Sequence, residues 1–274
     1  MKKHFDLIIG EAGIRGLRLP LKFRDFTGGY FDAFMVEAWT SVEKSQNGAR
    51  FGLIKDAVEK IFDEEMEFKG LFSRVDSFLG YAVNYSGSGS AGISLESVFT
   101  RDPFSSDVES VSVVPLRVSG IVKDGARHFS LSVTVTGMNA CPCTMDATAK
   151  LLGIEGSSER PFSVTHNQRT KITAELTFNK IPDVDFLDLA DCLRRSTSGV
   201  LMEKASDELE AEIVVNSHKN PLFVEDSVRI AASLIVQDLR PDPDVLIRVD
   251  AVSLESIHNH DAFASLEMKA ADLK

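Results

Sequence analysis

From Phe129 to Thr136 the chain alternates without a break, Phe129, Leu131, Val133 and Val135 against Ser130, Ser132, Thr134 and Thr136. Ile172, Ala174, Leu176 and Phe178 alternate in the same way with Lys171, Thr173, Glu175 and Thr177. A period of two suits a strand with one buried and one wet face, so the fold must contain an antiparallel sheet. Asp124-Gly125, just upstream, signals a tight hairpin turn. An earlier strand is read over Ile14–Arg24, with Pro20 placing it at an edge, and Phe31–Val42 continues as its hairpin partner after the Gly28-Gly29 turn.

The period changes between the strands. Phe51, Ile54, Val58, Ile61, Phe62 and Met66 follow helical spacing, as do Leu71, Val75, Phe78, Leu79 and Ala82. Strand-like stretches around Gly92–Thr100 and Ser110–Gly120 come next. After residue 122 the order repeats: two strands, helical segments at Asp185–Met202 and Pro221–Leu239, then strands at Val245–Val252 and Asp261–Leu266. The expectation is an α+β fold, ββααββ twice, with antiparallel sheets and helices on one face and halves at 1–121 and 122–274. The duplication rests on element order; the two halves share no sequence self-similarity.

Hydrophobic residues at 43% and charged residues at 26% are ordinary for a globular chain of 274 residues. A net charge of −11 argues against a nucleic-acid backbone as partner. The sequence has no apolar run of the ~18 residues a membrane helix needs, and Met1–Asp6 meets a charge too soon for a signal peptide. Cys141, Cys143 and Cys192 form no disulfide framework, so a reducing, cytoplasmic setting is expected. Cys192, in an apolar stretch, is read as a buried small residue.

Gly87-Ser88-Gly89-Ser90-Ala91-Gly92 spells the dinucleotide fingerprint, but that motif needs a strand before it and a helix after it. Ile93 to Phe99 instead alternates like a strand, so a connection is the better reading. Cys141-Pro142-Cys143 leaves one confident strand, and Thr165-His166-Asn167-Gln168-Arg169 enters the next. A thiolate and an imidazole delivered to one sheet end suit zinc or ferrous iron, whereas the bland alternative is a surface loop with an idle thiol pair. His258 and His260 crowd into Glu255-Ser256-Ile257-His258-Asn259-His260-Asp261, where the two rings could lie on opposite sides of an extended segment or both face solvent. His4, His128 and His218 have no such company. Asn220-Pro221 opens a helix, and Glu225 and Asp226 in its first turn suit the helix dipole. The functional alternative is a carboxylate offered to a base with adjacent N–H donors, such as guanine. Asp207 to Glu212 is read as a solvated acidic surface.

In that order, these motifs resemble the GTP cyclohydrolases of type IB and their archaeal iron-dependent relatives. The resemblance is strong from about residue 130 onward and faint before it. It implies a tandem tunnelling fold and a homo-oligomer, dimer or tetramer, with active sites at subunit interfaces. It implies one divalent metal per site, Fe(II), Mn(II) or Zn(II), held by Cys141, His166, Glu210 and His258, with Glu208 and Glu212 as rivals of Glu210. It implies Cys143 and His260 close to the reaction, Glu225 as the purine anchor, and Gln168 and Arg169, with Lys171, at the rest of the substrate. The implied substrate is GTP, with another purine or a pterin as the alternative. The implied product is 7,8-dihydroneopterin triphosphate or, in the archaeal type, the 2′,3′-cyclic phosphate. The sequence departs from the family where Gly48-Ala49-Arg50-Phe51-Gly52-Leu53 replaces a Gly-x-His-Met-Ser-Arg stretch. A Ser-Pro-Val-Ser-Gly type segment is also unrecognisable around Val98–Ser105.

Overall fold

The computed structural model describes residues 7–26, 29–44, 46, 48–87, 89–101, 113–155, 163–202 and 205–273. His4, Gly28, Ser88, residues 102–105 and the start of the stretch read at Ser110–Gly120 lie outside them. The chain clusters into two compact units built from interleaved segments: residues 1–100, 115–132 and 177–185 in the first, and 101–114, 133–176 and 186–274 in the second.

In the first unit, strands β1 (Ile9–Leu19), β2 (Gly29–Phe31) and β3 (Phe34–Val42) precede helices α1 (Phe51–Ile61) and α2 (Gly70–Ser86). Strands β4 (Ser90–Arg101), β5 (Val113–Lys123) and the first part of β6 (Ala126–Ala140) come after them. The strand order is β1-β3-β4-β5-β6, with β2 paired to β4. β1 pairs antiparallel with β3 and is the edge strand, with Pro20 just past its end. Between Arg15 and Leu17 the register shifts, and Gly16 at φ 81° supplies the left-handed residue such a bulge requires. Asp124 and Gly125 have φ of 50° and 83°, the paired positive values of a type I′ turn between β5 and β6. The buried faces of α1 and α2 bring Ile54, Val58, Leu71, Phe72, Phe78 and Leu79 into the core, as their spacing requires.

The fingerprint-like glycines have structural roles. Gly87 ends α2 in the left-handed conformation at φ 60°, and the chain then enters β4, so helix precedes strand, the reverse of a dinucleotide loop. Gly92 pairs with Trp39 across β3 and β4, and a Cβ there would lie 2.6 Å from the indole ring.

The second unit holds the rest of β6, then α3 (Pro142–Leu152), β7 (Asn167–Phe178), α4 (Phe186–Arg194), the short β8 (Gly199–Val200) and α5 (Asp207–Lys219). α6 (Val224–Leu234), continued by a π turn over Ile235–Leu239, β9 (Leu246–Ser253) and β10 (Ala262–Lys269) complete it. The strand order is β6-β7-β9-β10; β8 pairs with β6, and β9 and β10 are antiparallel. α6 packs on β9 and β10 through Val224, Val228, Ala231 and Ala232. The helix read over Asp185–Met202 stops at Arg194, because buried Ser196, Thr197 and Ser198 form a turn into β8. α3 and α5 are additions to the expected order. The fold is α+β, an open, largely antiparallel sheet flanked by helices.

Candidate active site

The site is built on the ends of β6 and β7 and on the loop between β9 and β10. Cys141 is the N-cap of α3; Pro142 opens the helix, and the Cys141 sulfur caps nothing. The Cys141 N–H donates to the His166 carbonyl at 3.1 Å, and Thr165 Oγ1 donates to the Cys141 carbonyl at 2.8 Å. Cys141 and His166 are thus neighbours through backbone bonds, at the sheet end where the strand pattern places both. Cys143 is exposed on the first turn of α3.

The His166 side chain is 9% exposed and enclosed by oxygens. Its Nδ1 lies 2.9 Å from Gln168 Oε1, 3.5 Å from Ser256 Oγ and 3.8 Å from Glu255 Oε2. A proton on Nδ1, donated to Gln168, leaves the lone pair of Nε2 for an electrophile, which is how metal-ligating histidines are oriented. Gln168 uses both ends of its amide, since Nε2 donates to Glu255 Oε1 at 3.4 Å. Residue 168 is buried while Arg169 and Lys171 are exposed, because neighbours on a strand face opposite ways. Expected together at the substrate, Gln168 and Arg169 therefore face apart within one chain.

Glu255, only 11% exposed at its side chain, stands out in the sequence only as the first residue of the histidine-rich motif. The signal was there, a carboxylate three residues before His258. Two contacts clamp the loop root: Thr170 Oγ1 meets Ser253 Oγ at 2.8 Å, and the Leu254 N–H donates to the Arg169 carbonyl at 2.9 Å. The loop itself is a run of bends and not an extended strand, so the alternation that would separate the histidines does not operate. The rings of His258 and His260 stack at 5.2 Å with 13° between planes, and His258 meets His166 edge-on at 6.3 Å.

Glu210 lies on the exposed first turn of α5, with Glu208 and Glu212 exposed beside it. Ser206 caps this helix by accepting from the Leu209 N–H at 3.3 Å. Among the described residues no three His, Cys, Asp or Glu side chains are placed to hold one ion. The thiol of Cys141 and the imidazoles of His166 and His258 are donor types that a divalent metal takes, but among the described residues neither these three nor Glu210 close around one point.

α6 separates its two acids. Asp226 accepts from the Phe223 N–H at 3.3 Å and from Arg229 at 3.0 Å, so the helix start accounts for it. Glu225 is exposed and makes no hydrogen bond or ion pair with another described residue. Of the histidines given no role, His128 bonds Asn179 Oδ1 at 2.9 Å, and His218 bonds the Val214 carbonyl at 2.8 Å. Cys192 is 1% exposed, and burial pushes its thiol up to about 11. In the first unit, Gly48, Ala49 and Arg50 line a cavity of about 410 Å³ with Thr40, Gln46 and Tyr85, and the Arg50 guanidinium lies 5.5 Å from the Tyr85 ring centroid.

The architecture is α+β, with a thiol, imidazoles and a carboxylate near one sheet end. Its fold is shared with uricase from Arthrobacter globiformis, at a TM-score of 0.57 and 8% identity over 97% of this chain and 96% of that one. A family described as "Type I GTP cyclohydrolase folE2" matches residues 1–264, and the chain belongs to that family. It is 26% identical to the GTP cyclohydrolase MptA of Aeropyrum pernix over 100% of this chain and 96% of that protein. It is 28% identical to the GTP cyclohydrolase FolE2 of Staphylococcus aureus (strain Newman) over 97% of this chain and 86% of that protein. The chain is accordingly an enzyme of the hydrolase, GTP cyclohydrolase type. Among the described residues no helix is long and apolar enough to cross a membrane.

Proposed function

We propose that the chain hydrolyses GTP at C8, releases formate and forms 7,8-dihydroneopterin triphosphate, a pterin and folate precursor. The observation that carries this is His166, whose Nδ1 is tied to Gln168 beside Cys141 and whose ring stands 6.3 Å from that of His258. Cys141, His166 and His258, with Glu210 as the acid, would hold one Fe(II), Mn(II) or Zn(II) ion at a subunit interface of a homo-oligomer. Such an ion, when bound, brings the pKa of water from ~15.7 to about 7 and so provides hydroxide at neutral pH.

The other roles belong to the chain's own groups. Glu225 accepts N1–H and the exocyclic amino group of guanine, a paired donor edge that adenine lacks. Its lack of a partner among the described residues leaves both oxygens for this purpose. His260, stacked on His258 and exposed, takes and returns protons during ring opening. Arg169 and Lys171, on the outer face of β7, meet the triphosphate. Gln168 and Glu255 hold the His166 ring in the tautomer that presents Nε2. Cys143, two residues after Cys141 and exposed on the first turn of α3, would serve as a second thiol.

The replaced residues at Gly48–Leu53 favour a second reading, a relative that keeps the metal cluster and takes another purine or a pterin. Formate release and the fluorescence of the oxidised pterin, measured on protein loaded anaerobically with each metal, decide between them. Formate with at least one metal is the expected result, and none with all of Fe(II), Mn(II) and Zn(II) selects the second reading. Mass analysis of the product separates the triphosphate from the cyclic phosphate.

A further inference from the structure

The inward row of β6 runs Phe129, Leu131, Val133, Val135, Gly137, Asn139, because alternate residues of a strand face one way. Five of these positions carry apolar side chains or glycine, but the last carries an amide that is 0% exposed. A buried amide is costly unless its donor and acceptor are both used. Here they are used, on separate elements. Asn139 Oδ1 accepts from the Ser198 N–H at 3.1 Å, in the turn before β8, and Nδ2 donates to Ser227 Oγ at 2.9 Å. Ser227, also 0% exposed, is in the first turn of α6, two residues after Glu225.

The next residue repeats the pattern. The Ala140 N–H donates to Ser198 Oγ at 3.3 Å, and the Ala140 carbonyl accepts from the Leu222 N–H at 3.1 Å, in the approach to α6. Residues 139 and 140 therefore tie the chain immediately before Cys141 to the chain on both sides of Glu225. An apolar residue at 139 would fill the core as well but would have no directional bond with which to set that spacing.

We propose that Asn139 is a positioning residue that fixes the first turn of α6, and so Glu225, relative to the Cys141 end of β6. The role rests on the cyclohydrolase reading, in which one group anchors the purine and the other serves the reacting carbon. Displacing such groups by about 1 Å costs on the order of 100-fold in rate without removing either. The signature is a loss in kcat alone, with both partial functions kept.

Ser227→Ala deletes the hydroxyl and leaves the helix and its packing intact; Asn139→Ala deletes the whole link. Both are compared with wild type for Co(II) bound per chain, the thiolate-to-Co(II) absorption band, GTP affinity and formate release. Ser227→Ala is expected to bind Co(II) and GTP as wild type does and to lose roughly 10- to 100-fold in kcat. The double variant is expected to be no slower than Asn139→Ala, since both remove one link. Unchanged kcat in Ser227→Ala, a raised KM, or a rate lost only in proportion to lost Co(II) would overturn the positioning role. Wild-type protein that binds Co(II) yet yields no formate would instead overturn the cyclohydrolase reading on which it rests.

Discussion

Glu225→Gln separates substrate recognition from folding. The side chain is exposed at the second residue of α6 and bonds to no other described residue, so the fold loses only its favourable position near the helix dipole. That is about 0.3–1 kcal/mol. The loss at the substrate is larger. A carboxylate can accept from both N1–H and the amino group of guanine, whereas an amide turns an NH₂ toward one of them. Removing a hydrogen bond to a charged group costs about 1.5–3 kcal/mol, or roughly 10- to 150-fold in Kd. GTP binding by calorimetry on the metal-loaded protein should show this loss, with metal content unchanged. Asp226→Asn is the control: it weakens the cap and the Arg229 pair, costs about 1 kcal/mol of stability and leaves GTP affinity alone. Glu225→Gln binding GTP within about twofold of wild type would refute the guanine-anchor argument.

Other consequences can be checked on the same protein. Cys141→Ala and His258→Ala should lose metal and formate release together, read by metal analysis and the pterin assay. Gly92→Ala should lower the melting temperature by the equivalent of about 1–3 kcal/mol, since its new Cβ would lie 2.6 Å from the Trp39 ring; an unchanged melting temperature would contradict that packing. Iodoacetamide at pH 8 should label exposed Cys143 in the native protein and reach Cys192 only after unfolding. The Cys192 thiol is raised, so its contribution to stability is complete below the unfolded value of about 8.5 and is lost as pH rises toward the folded value of about 11. Cys192→Val should therefore lose less stability than wild type across that alkaline window, by denaturant titration.

How far the sequence could be read depends on where periodicity is strong. β6, β7, β9 and α6 each bury one face of a regular element, and their spacing announced them. α3 and α5 did not announce themselves, because they bury almost nothing: Met145 in one and Ser217 in the other. Their caps were the better signal, with Pro142 opening α3, Gly153 closing it and Ser206 ahead of the acids of α5. Among the candidate site residues, Cys141, His166, His258 and His260 were legible as residue types in polar stretches near strand ends. The stacking of the two histidines was not, since it depends on a bent loop. Gln168 was named for the substrate, but its bond to Glu255, like that of Asn139 to Ser227, was hidden because the partners lie 87 and 88 residues apart in sequence and only the fold brings them together.

The central claim is that distant residues of one family member converge on a single divalent ion. Crystals of the Zn(II)-loaded oligomer, located by zinc anomalous scattering, test it most directly. The account predicts one ion per chain with Cys141 Sγ at about 2.3 Å and His166 Nε2 at about 2.0–2.1 Å, and His258 completing the set with an acid. An ion bound elsewhere, or Cys141 and His166 turned away from it in every subunit, would contradict it.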